Sequence, residues 1–341
     1  MRGLVKRLFL ALANAIGVPA VCRRLNRKRV TILMYHGLID DRRPSEWTQL
    51  SVDRFEEQIC HLARCYSPVS LEQAVAYLSG KASLPDNPVV VTFDDGYRSN
   101  YVLGYPVLEK YGVPATVFIT TSLLGHGNIP PRETLFDTVY SLAPLLPNGS
   151  IDLSAMGLPR FHVSKPADRL AAVEAICERL KQMGSEDRQR IIDKLVMTFP
   201  QRQSGDSRYR GAEWDQVRRA KSLVKPGAHT MSHEILSHLP ADQAREEIVL
   251  SKQIIEQETS GPVLFFAYPN GRREDFTSET KRLVTEAGFH AALTTIEGVN
   301  RIGDDLFELK RIGVGSDASI AWFRLAAAGF FDCRRKPKEP Q

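Results

Sequence analysis

The sequence predicts an α/β fold built on a parallel sheet, and three observations support this prediction. Short β-prone runs alternate along the 341-residue chain with stretches of helical periodicity. The runs are apolar at nearly every position, as in strands that are buried on both faces. Polar and charged residues follow several runs directly, where the carboxyl ends of parallel strands carry active groups. A barrel and a doubly wound sheet both satisfy these observations.

The first part of the chain provides three predicted strands and three predicted helices. The strands span 30–35, 89–93 and 115–120, and the helices span 51–66, 71–78 and 101–112. In the first helix, Ser51 is a cap-type residue, and Phe55, Ile59 and Leu62 follow at helical spacing. The order is therefore that of successive β-α-β units.

Residues 125–212 interrupt this alternation. They contain loops rich in Gly and Pro and two stretches with the periodicity of amphipathic helices, 169–183 and 191–199. We expect a helical insertion here, which serves as a lid or substrate-binding cap or is a plain surface excursion.

The alternation resumes after residue 212 and continues to the end of a domain that we expect to span 30–316. The predicted helices are 214–223, 241–258 and 281–287. One predicted strand ends at residue 229, and three more span 264–268, 291–295 and 309–314. The remaining segment, 317–341, is expected to form a helix and a basic tail.

The amino-terminal segment, 1–29, is basic and apolar. The first 39 residues hold eight of the 45 basic side chains and no acid, so the rest of the chain has 37 basic against 40 acidic residues. A nucleic-acid-binding body would carry its positive charge on the folded domain, so this class of protein is not expected.

Within that segment, residues 8–22 are mostly apolar but are shorter than the roughly 20 residues of a spanning helix. Three interpretations remain open: an interfacial anchor with basic residues on anionic headgroups, a plain structural helix, and a signal peptide. Arg23 and Arg24 replace a small-residue cleavage site, and the five scattered cysteines are typical of a reducing compartment. We therefore expect a cytoplasmic protein, peripheral on the inner face of the membrane if the segment is an anchor; an extracytoplasmic location stays open.

Residues suited to metal and acid–base chemistry follow the predicted strands. Asp94 and Asp95 end one strand, and His229 and His233 follow another at a spacing that can chelate one divalent ion. Thr230 stands where a metalloprotease HExxH motif has its Glu, so the general base must come from elsewhere. Adjacent side chains at a strand end point in different directions, which allows one aspartate to bind a metal and the other to accept a proton.

Five segments share a pattern: 32–37 (ILMYHG), 92–96 (TFDDG), 229–233 (HTMSH), 266–271 (FAYPNG) and 310–312 (KRI). Together they resemble the polysaccharide deacetylase (NodB-homology, carbohydrate esterase) family, and the first and last segments resemble its branch that acts on bacterial exopolysaccharides. The resemblance covers about 30–125 and 212–316. It implies a distorted (β/α) barrel and metal-dependent removal of N-acetyl groups from amino sugars of a polysaccharide or a lipid-linked glycan.

The resemblance also implies roles for individual residues. Asp95, His229 and His233 would bind the metal, and Asp94 would be the general base that takes a proton from a metal-bound water. An amide's leaving amine needs a proton, and His36 is the candidate acid, with His290 as its rival.

Residues 266–271, which resemble the family's third motif, and the last predicted strand are expected to complete the site. Tyr268 would line it and lend its backbone N–H to the oxyanion. Pro269 and Asn270 would contribute to substrate binding by shaping the turn, and Arg311 would orient Asp94 or close the pocket, unless it forms a plain surface ion pair. The third motif lacks the arginine that commonly orients the base in this family.

The metal is expected to be zinc, although two histidines and a carboxylate also suit Co, Ni, Fe or Mn. The expected partner is an N-acetylated glycan, and the oligomeric state is left open. Three alternatives remain: an amidohydrolase or deformylase acting on a non-sugar amide, a silent carbohydrate-binding relative, and a membrane-surface scaffold that would leave the motifs unexplained.

Overall fold

The computed structural model describes residues 2–40, 47–125, 149–154, 159–181 and 209–332, with the single positions 139, 157, 183, 187, 190 and 191. Its strands are β1 (Thr31–Tyr35), β2 (Gly37–Ile39), β3 (Gln49–Ser51), β4 (Ser67–Pro68), β5 (Pro88–Phe93), β6 (Ala115–Ile119), β7 (Ser150–Asp152), β8 (Arg160–His162), β9 (Val224–Ala228), β10 (Phe265–Ala267), β11 (Ala291–Glu297) and β12 (Leu309–Gly313).

The described α-helices cover the flanks of the sheet and the two ends of the chain. They are α1 (Arg2–Ala15), α2 (Val18–Leu25), α3 (Val52–Cys65), α4 (Leu71–Leu78), α5 (Tyr105–Tyr111), α6 (Pro166–Lys181), α7 (Trp214–Ala220), α8 (Ala241–Thr259), α9 (Ser278–Glu286) and α10 (Ile320–Ala327).

Seven of the described strands close into a parallel barrel, in the order β1-β12-β11-β10-β9-β6-β5 and back to β1. Closure rests on the pairing of β1 with β5, in which Tyr35 lies opposite Phe93. The short strand β4 pairs with the beginning of β5. The predicted (β/α) barrel is confirmed, and the doubly wound sheet is excluded because the two edges of the sheet pair with each other.

The strands that the sequence predicted as buried on both faces have apolar clusters on either side. Ile32 and Val90 belong to one cluster, and Leu33 and Val91 belong to another. This division follows the two-residue period of a strand, whose successive side chains point to opposite faces. The continuous apolar runs therefore contribute side chains to the apolar clusters on both faces of the sheet.

Two local features differ from the predicted elements. The single helix predicted over 101–112 is a π-helical turn, Asn100–Gly104, followed by α5. Pro106 lies at the start of α5 and has no backbone N–H to donate to a preceding turn, which separates the two segments. Strands β2 and β3, which pair with each other, lie where the sequence predicted no strand.

The predicted insertion is described only in part. β7 and β8 form an antiparallel pair, and α6 packs its buried Val173, Ile176 and Leu180 into a separate apolar cluster with Tyr97 and Tyr209. The predicted helix 191–199 lies outside the described residues except for position 191.

Helices at both ends of the chain pack together on the side of the barrel. Leu10 and Ala13 of α1 contact Leu325 of α10, the helix predicted after residue 316. None of the described helices is long and apolar enough to cross a membrane by itself. Val5–Ala15 and Val18–Leu25 meet the length and composition requirement only as a pair, and they are bent by 67°.

Candidate active site

The carboxyl ends of four barrel strands bring the predicted site residues to one end of the barrel. His36 follows β1, Asp94 and Asp95 follow β5, His229 follows β9, and Arg311 lies on β12. Closure makes β1 a neighbour of both β5 and β12. Residues far apart in the sequence therefore share one site.

Asp95, His229 and His233 form a group of three metal-type donors. The Nε2 atoms of His229 and His233 lie 3.7 and 3.5 Å from Oδ1 of Asp95. One donor atom from each residue falls within 4.8 Å of the other two, a group that could hold a metal ion. Two imidazoles and one carboxylate are a donor set of catalytic zinc sites, in which a further position stays open to water or substrate.

The hydrogen bonding of His229 fits this donor role. Its Nδ1 lies 2.7 Å from the carbonyl oxygen of Ala267, so this nitrogen carries the proton and Nε2 presents its lone pair toward Asp95. Burial lowers the pKa of His229 to about 4, so the imidazole is neutral at pH 7, as a metal ligand must be. The residues present therefore fit a divalent metal ion.

Backbone strain is found at two of the three donors and at the residue that follows the third. Asp95 and His233 have φ values of 74° and 61°, and Thr230, between the histidines, has 63°. Residues with side chains rarely adopt this left-handed region and need surrounding contacts to hold it. One such contact is the hydrogen bond from the His233 N–H to the Thr230 hydroxyl, 2.9 Å long.

Glu247 of α8 anchors the turn between the two histidines. Its carboxylate accepts hydrogen bonds from the backbone N–H groups of Met231 and Ser232, at 2.8 and 2.9 Å, and from the Ser232 hydroxyl. Glu247 is 7% exposed. Sequence reasoning missed this residue, although its signal was present: an acid on the face of α8 that buries Ala244 and Ile248.

Arg311 binds Asp94 through two parallel hydrogen bonds. Nη1 and Nη2 donate to Oδ1 and Oδ2 at 2.6 and 2.8 Å, and Nε donates to the Thr294 carbonyl. Both side chains are buried, which excludes the surface ion pair that the sequence left open. Burial is the largest single influence and raises the pKa of Asp94, but the charge and hydrogen bonds of Arg311, together with the charges of His229 and His36, outweigh it and lower the pKa to about 2.

His36 and its rival lie at opposite ends of the barrel. His36 is partly buried, close enough for its charge to lower the pKa of Asp94, and its carbonyl accepts a hydrogen bond from Asn100. His290 is exposed and directly precedes β11, so it lies at the amino end of a strand, away from Asp94. Of these two histidines, His36 is the one that interacts with Asp94.

An exposed aromatic ring, Trp47, lies beside His36. The two rings meet edge to face with centroids 5.3 Å apart, and Trp47 is 41% exposed. Its indole packs so closely on Gly315 that a Cβ atom there would overlap the ring. Trp47 could not be predicted as a site residue, because an isolated tryptophan in a loop has no distinctive spacing.

The third motif differs from its predicted role. The Tyr268 N–H donates to the Leu293 carbonyl at 3.0 Å, and its fully buried ring stacks on Phe276, so neither is available to an oxyanion or a substrate surface. Pro269 is buried, and Asn270 has a φ of 53° in a turn braced by Thr295. The prediction of Tyr268 as an oxyanion donor is therefore wrong: sheet pairing with β11 already uses its N–H.

Comparison with known proteins identifies similar sequences. A family model described as polysaccharide deacetylase matches residues 81–141 and 193–292. YxkH of Bacillus subtilis, named as a polysaccharide deacetylase, is 22% identical over 298 residues, covering 86% of this chain and 75% of its own. The poly-β-1,6-N-acetyl-D-glucosamine N-deacetylase of Staphylococcus aureus is 34% identical over 79 residues, which are 23% of this chain and only 27% of that protein.

A solved structure has the same fold. The Streptococcus pyogenes deacetylase PplD, determined in complex with acetate, superposes with a TM-score of 0.58 at 18% identity. The superposition covers 88% of this chain and 99% of that one. The barrel described above is therefore shared with a known deacetylase.

Proposed function

Because the chain belongs to the polysaccharide deacetylase family, we propose that it hydrolyses N-acetyl groups from amino sugars of a polysaccharide or lipid-linked glycan in a metal-dependent reaction. One observation carries this proposal: the buried carboxylate of Asp94, held by Arg311, is adjacent in sequence and space to the donor group of Asp95, His229 and His233. A base and a metal site side by side are what hydrolysis of an unactivated amide requires.

Asp95, His229 and His233 would hold the ion. When bound, a divalent ion lowers the pKa of a coordinated water and polarises the carbonyl of the amide. Zinc is the proposed ion, because the histidine pair and the carboxylate suit it, and Co, Ni, Fe or Mn remain alternatives for measurement.

Asp94 is the proposed general base. With a pKa of about 2 it is ionised at neutral pH, and Arg311 holds the carboxylate in one orientation. It accepts a proton from the attacking water, whose oxygen bonds to the carbonyl carbon of the acetyl group. Arg311 is thus a positioning residue for Asp94 and substitutes for the arginine that the third motif lacks.

His36 is the proposed general acid. As the carbon–nitrogen bond breaks, the departing amine needs a proton, and His36 is the histidine beside Asp94 that is not in the donor group. The products are acetate and a free amino sugar, and a proton has moved from the water to Asp94 and another from His36 to the amine.

Trp47 supports a sugar as substrate in preference to a small non-sugar amide. Its partly exposed indole beside His36 offers a flat apolar surface at the entrance to the site. Aromatic rings of this kind present a large contact area with little entropic cost, which suits the apolar face of a pyranose. Since a relative's name specifies poly-β-1,6-N-acetyl-D-glucosamine, β-1,6-linked N-acetylglucosamine oligomers are the first substrates to test.

The test is acetate release from N-acetylated oligosaccharides of several linkages. The purified protein is assayed as isolated, after chelation and after addition of single divalent metals, and its metal content is measured independently of activity. We expect release that chelation removes, that one metal restores and that Asp94→Asn abolishes.

The matched control is Asp242→Asn, the same chemical change at an exposed position in the first turn of α8, which should leave release intact. No release from any glycan by protein that binds metal stoichiometrically would contradict the proposal and favour a silent carbohydrate-binding protein or a non-sugar amide.

A further inference from the structure

The two amino-terminal helices carry an exposed apolar stripe. Val5, Leu8, Leu12 and Ile16 are 64, 62, 62 and 68% exposed, and their spacing of three and four residues places them on one face of α1 and the turn that follows it. On α2, Val21 and Leu25 are 59 and 73% exposed and lie one turn apart. Isolated exposed apolar residues are ordinary, but a continuous stripe of this length marks an interaction surface.

A different face of the same helices binds the barrel domain. Leu10 and Ala13 are buried against α10, and the Asn14 side-chain amide donates to the Ala321 carbonyl at 2.8 Å. Farther along, the buried Asn26 amide donates to the Ala328 carbonyl at 2.7 Å. The helix pair is therefore attached to the domain through its other face, and the stripe faces outward.

Basic side chains border the stripe. Arg7 is exposed on α1, and Arg24 and Arg27 are exposed on α2 or just after it. Lys6 and Lys28 are exposed as well and pair with Asp317 and Asp86 of the barrel domain. Residues 1–39 contain no acid. An apolar face flanked by positive charge is complementary to a surface with apolar depth and negative headgroups.

We propose that α1 and α2 bind the surface of a bilayer containing anionic lipid, with the stripe at the level of the acyl chains and the basic residues on the headgroups. The bend of 67° between the helices suits a pair lying in the interface better than a straight crossing. A second copy of the chain is disfavoured as the occupant, because it would bring the same basic residues against those of the first.

The attachment also orients the active site, and this step rests on the proposed function. Lys6 of α1 lies 3.9 Å from Asp317, which follows β12, and the neighbouring Ser316 N–H donates to the Trp47 carbonyl. The beginning of α1 is thus on the same side of the barrel as Trp47. A bound chain would hold its site entrance near the membrane surface, within reach of a lipid-linked glycan.

The test is co-sedimentation of the full chain with vesicles of phosphatidylcholine alone or mixed with phosphatidylglycerol, at low and high salt. We expect binding to the anionic vesicles that weakens with salt. Leu8→Gln/Leu12→Gln should weaken binding about tenfold or more, because it removes two apolar side chains from the acyl region. Ile302→Gln, which changes an exposed apolar residue outside the helix pair, should bind like the unaltered protein.

Several results would overturn the proposal. These are absence of binding to the anionic vesicles, equal binding by the double variant, a dimer in solution that the double variant dissociates, or resistance of bound chain to extraction at alkaline pH. The proposal would also be overturned if the chain isolated from cells began after α2, because the two helices would then have been removed. None of these results depends on deacetylation. A negative result for membrane binding would therefore leave the proposed function untouched, and the absence of deacetylation would leave the proposed membrane binding untouched.

Discussion

Arg311 and Asp94, 217 residues apart in the chain, form a buried bidentate ion pair with hydrogen bonds of 2.6 and 2.8 Å. β12 carries the arginine and β5 precedes the aspartate, and both strands flank β1 in the closed barrel. Because both side chains are buried, loss of one partner leaves an uncompensated buried charge.

Arg311→Met should therefore destabilise the protein by about 3–5 kcal/mol, measured by urea unfolding. It should also shift the acid limb of the pH–rate profile to higher pH, because burial raises the pKa of Asp94 once the guanidinium is gone. The double variant Arg311→Met/Asp94→Asn should regain stability without regaining activity. An unchanged acid limb in Arg311→Met would contradict the role of Asp94 as base.

Glu247→Gln tests the anchor of the histidine turn. Glutamine has one acceptor oxygen where the carboxylate accepts three hydrogen bonds, so the turn that carries His233 should loosen. We expect metal affinity to fall by about 10–100-fold, measured by competition with a chelating dye, and activity to return at high metal concentration. Glu246→Gln, one residue earlier and exposed, is the control. Equal metal affinity in the two variants would mean that Glu247 has no positioning role.

His36→Gln tests the general acid. We expect kcat to fall by about 10²–10⁴-fold with metal content unchanged, because proton donation to the amine is lost while the donor group stays intact. His290→Gln should have full activity, since His290 lies at the amino end of β11. Full activity in His36→Gln would assign the acid elsewhere.

Trp47→Ala tests the aromatic surface at the site entrance. We expect KM for an N-acetylated oligosaccharide to rise about tenfold with little change in kcat, because a stacking contact binds the substrate and its transition state alike. Trp47→Phe should recover part of the affinity. A change in kcat with unchanged KM would instead indicate that the ring orients His36.

His61 predicts a pH dependence of stability. It packs against the rings of Tyr66 and Phe323, and burial, with the charges of Arg324 and Arg23, lowers its pKa from 6.5 to about 4. Between these values the unfolded chain binds a proton that the folded chain does not, so stability falls as pH drops through this window.

The measurement is the melting temperature between pH 7 and pH 4. His61→Asn should lose less stability over that range than the unaltered protein, whereas His162→Asn, at an exposed position, should not differ from it. Parallel curves for His61→Asn and the unaltered protein would contradict the assignment.

Much of the candidate site followed from local sequence. Asp94, Asp95, His229 and His233 could be predicted because parallel strands gather their carboxyl ends, so polar residues directly after apolar runs must lie near one another. The strands themselves were recognisable because their continuous apolar runs fill two cores. The insertion was recognisable only as an interruption, since its residues have no strand rhythm.

Other features could not be predicted, because each depends on a contact between distant segments. In the sequence, Glu247 looks like any other residue of a helix. Its carboxylate accepts three hydrogen bonds only because α8 packs under the turn between His229 and His233. The Tyr268 N–H is consumed by β11, which a motif does not reveal.

The sequence by itself determined the chemistry of the donors, the ends of the strands on which they lie and the alternation of strand and helix, since these depend on residue type and local periodicity. The tertiary structure decided which strands became neighbours. Pairing of β1 with β5 closed the barrel, placed His36 rather than His290 beside Asp94 and brought Arg311 to the same carboxylate. Local periodicity carries no information on partners hundreds of residues away, whereas closure of the sheet determines them all at once.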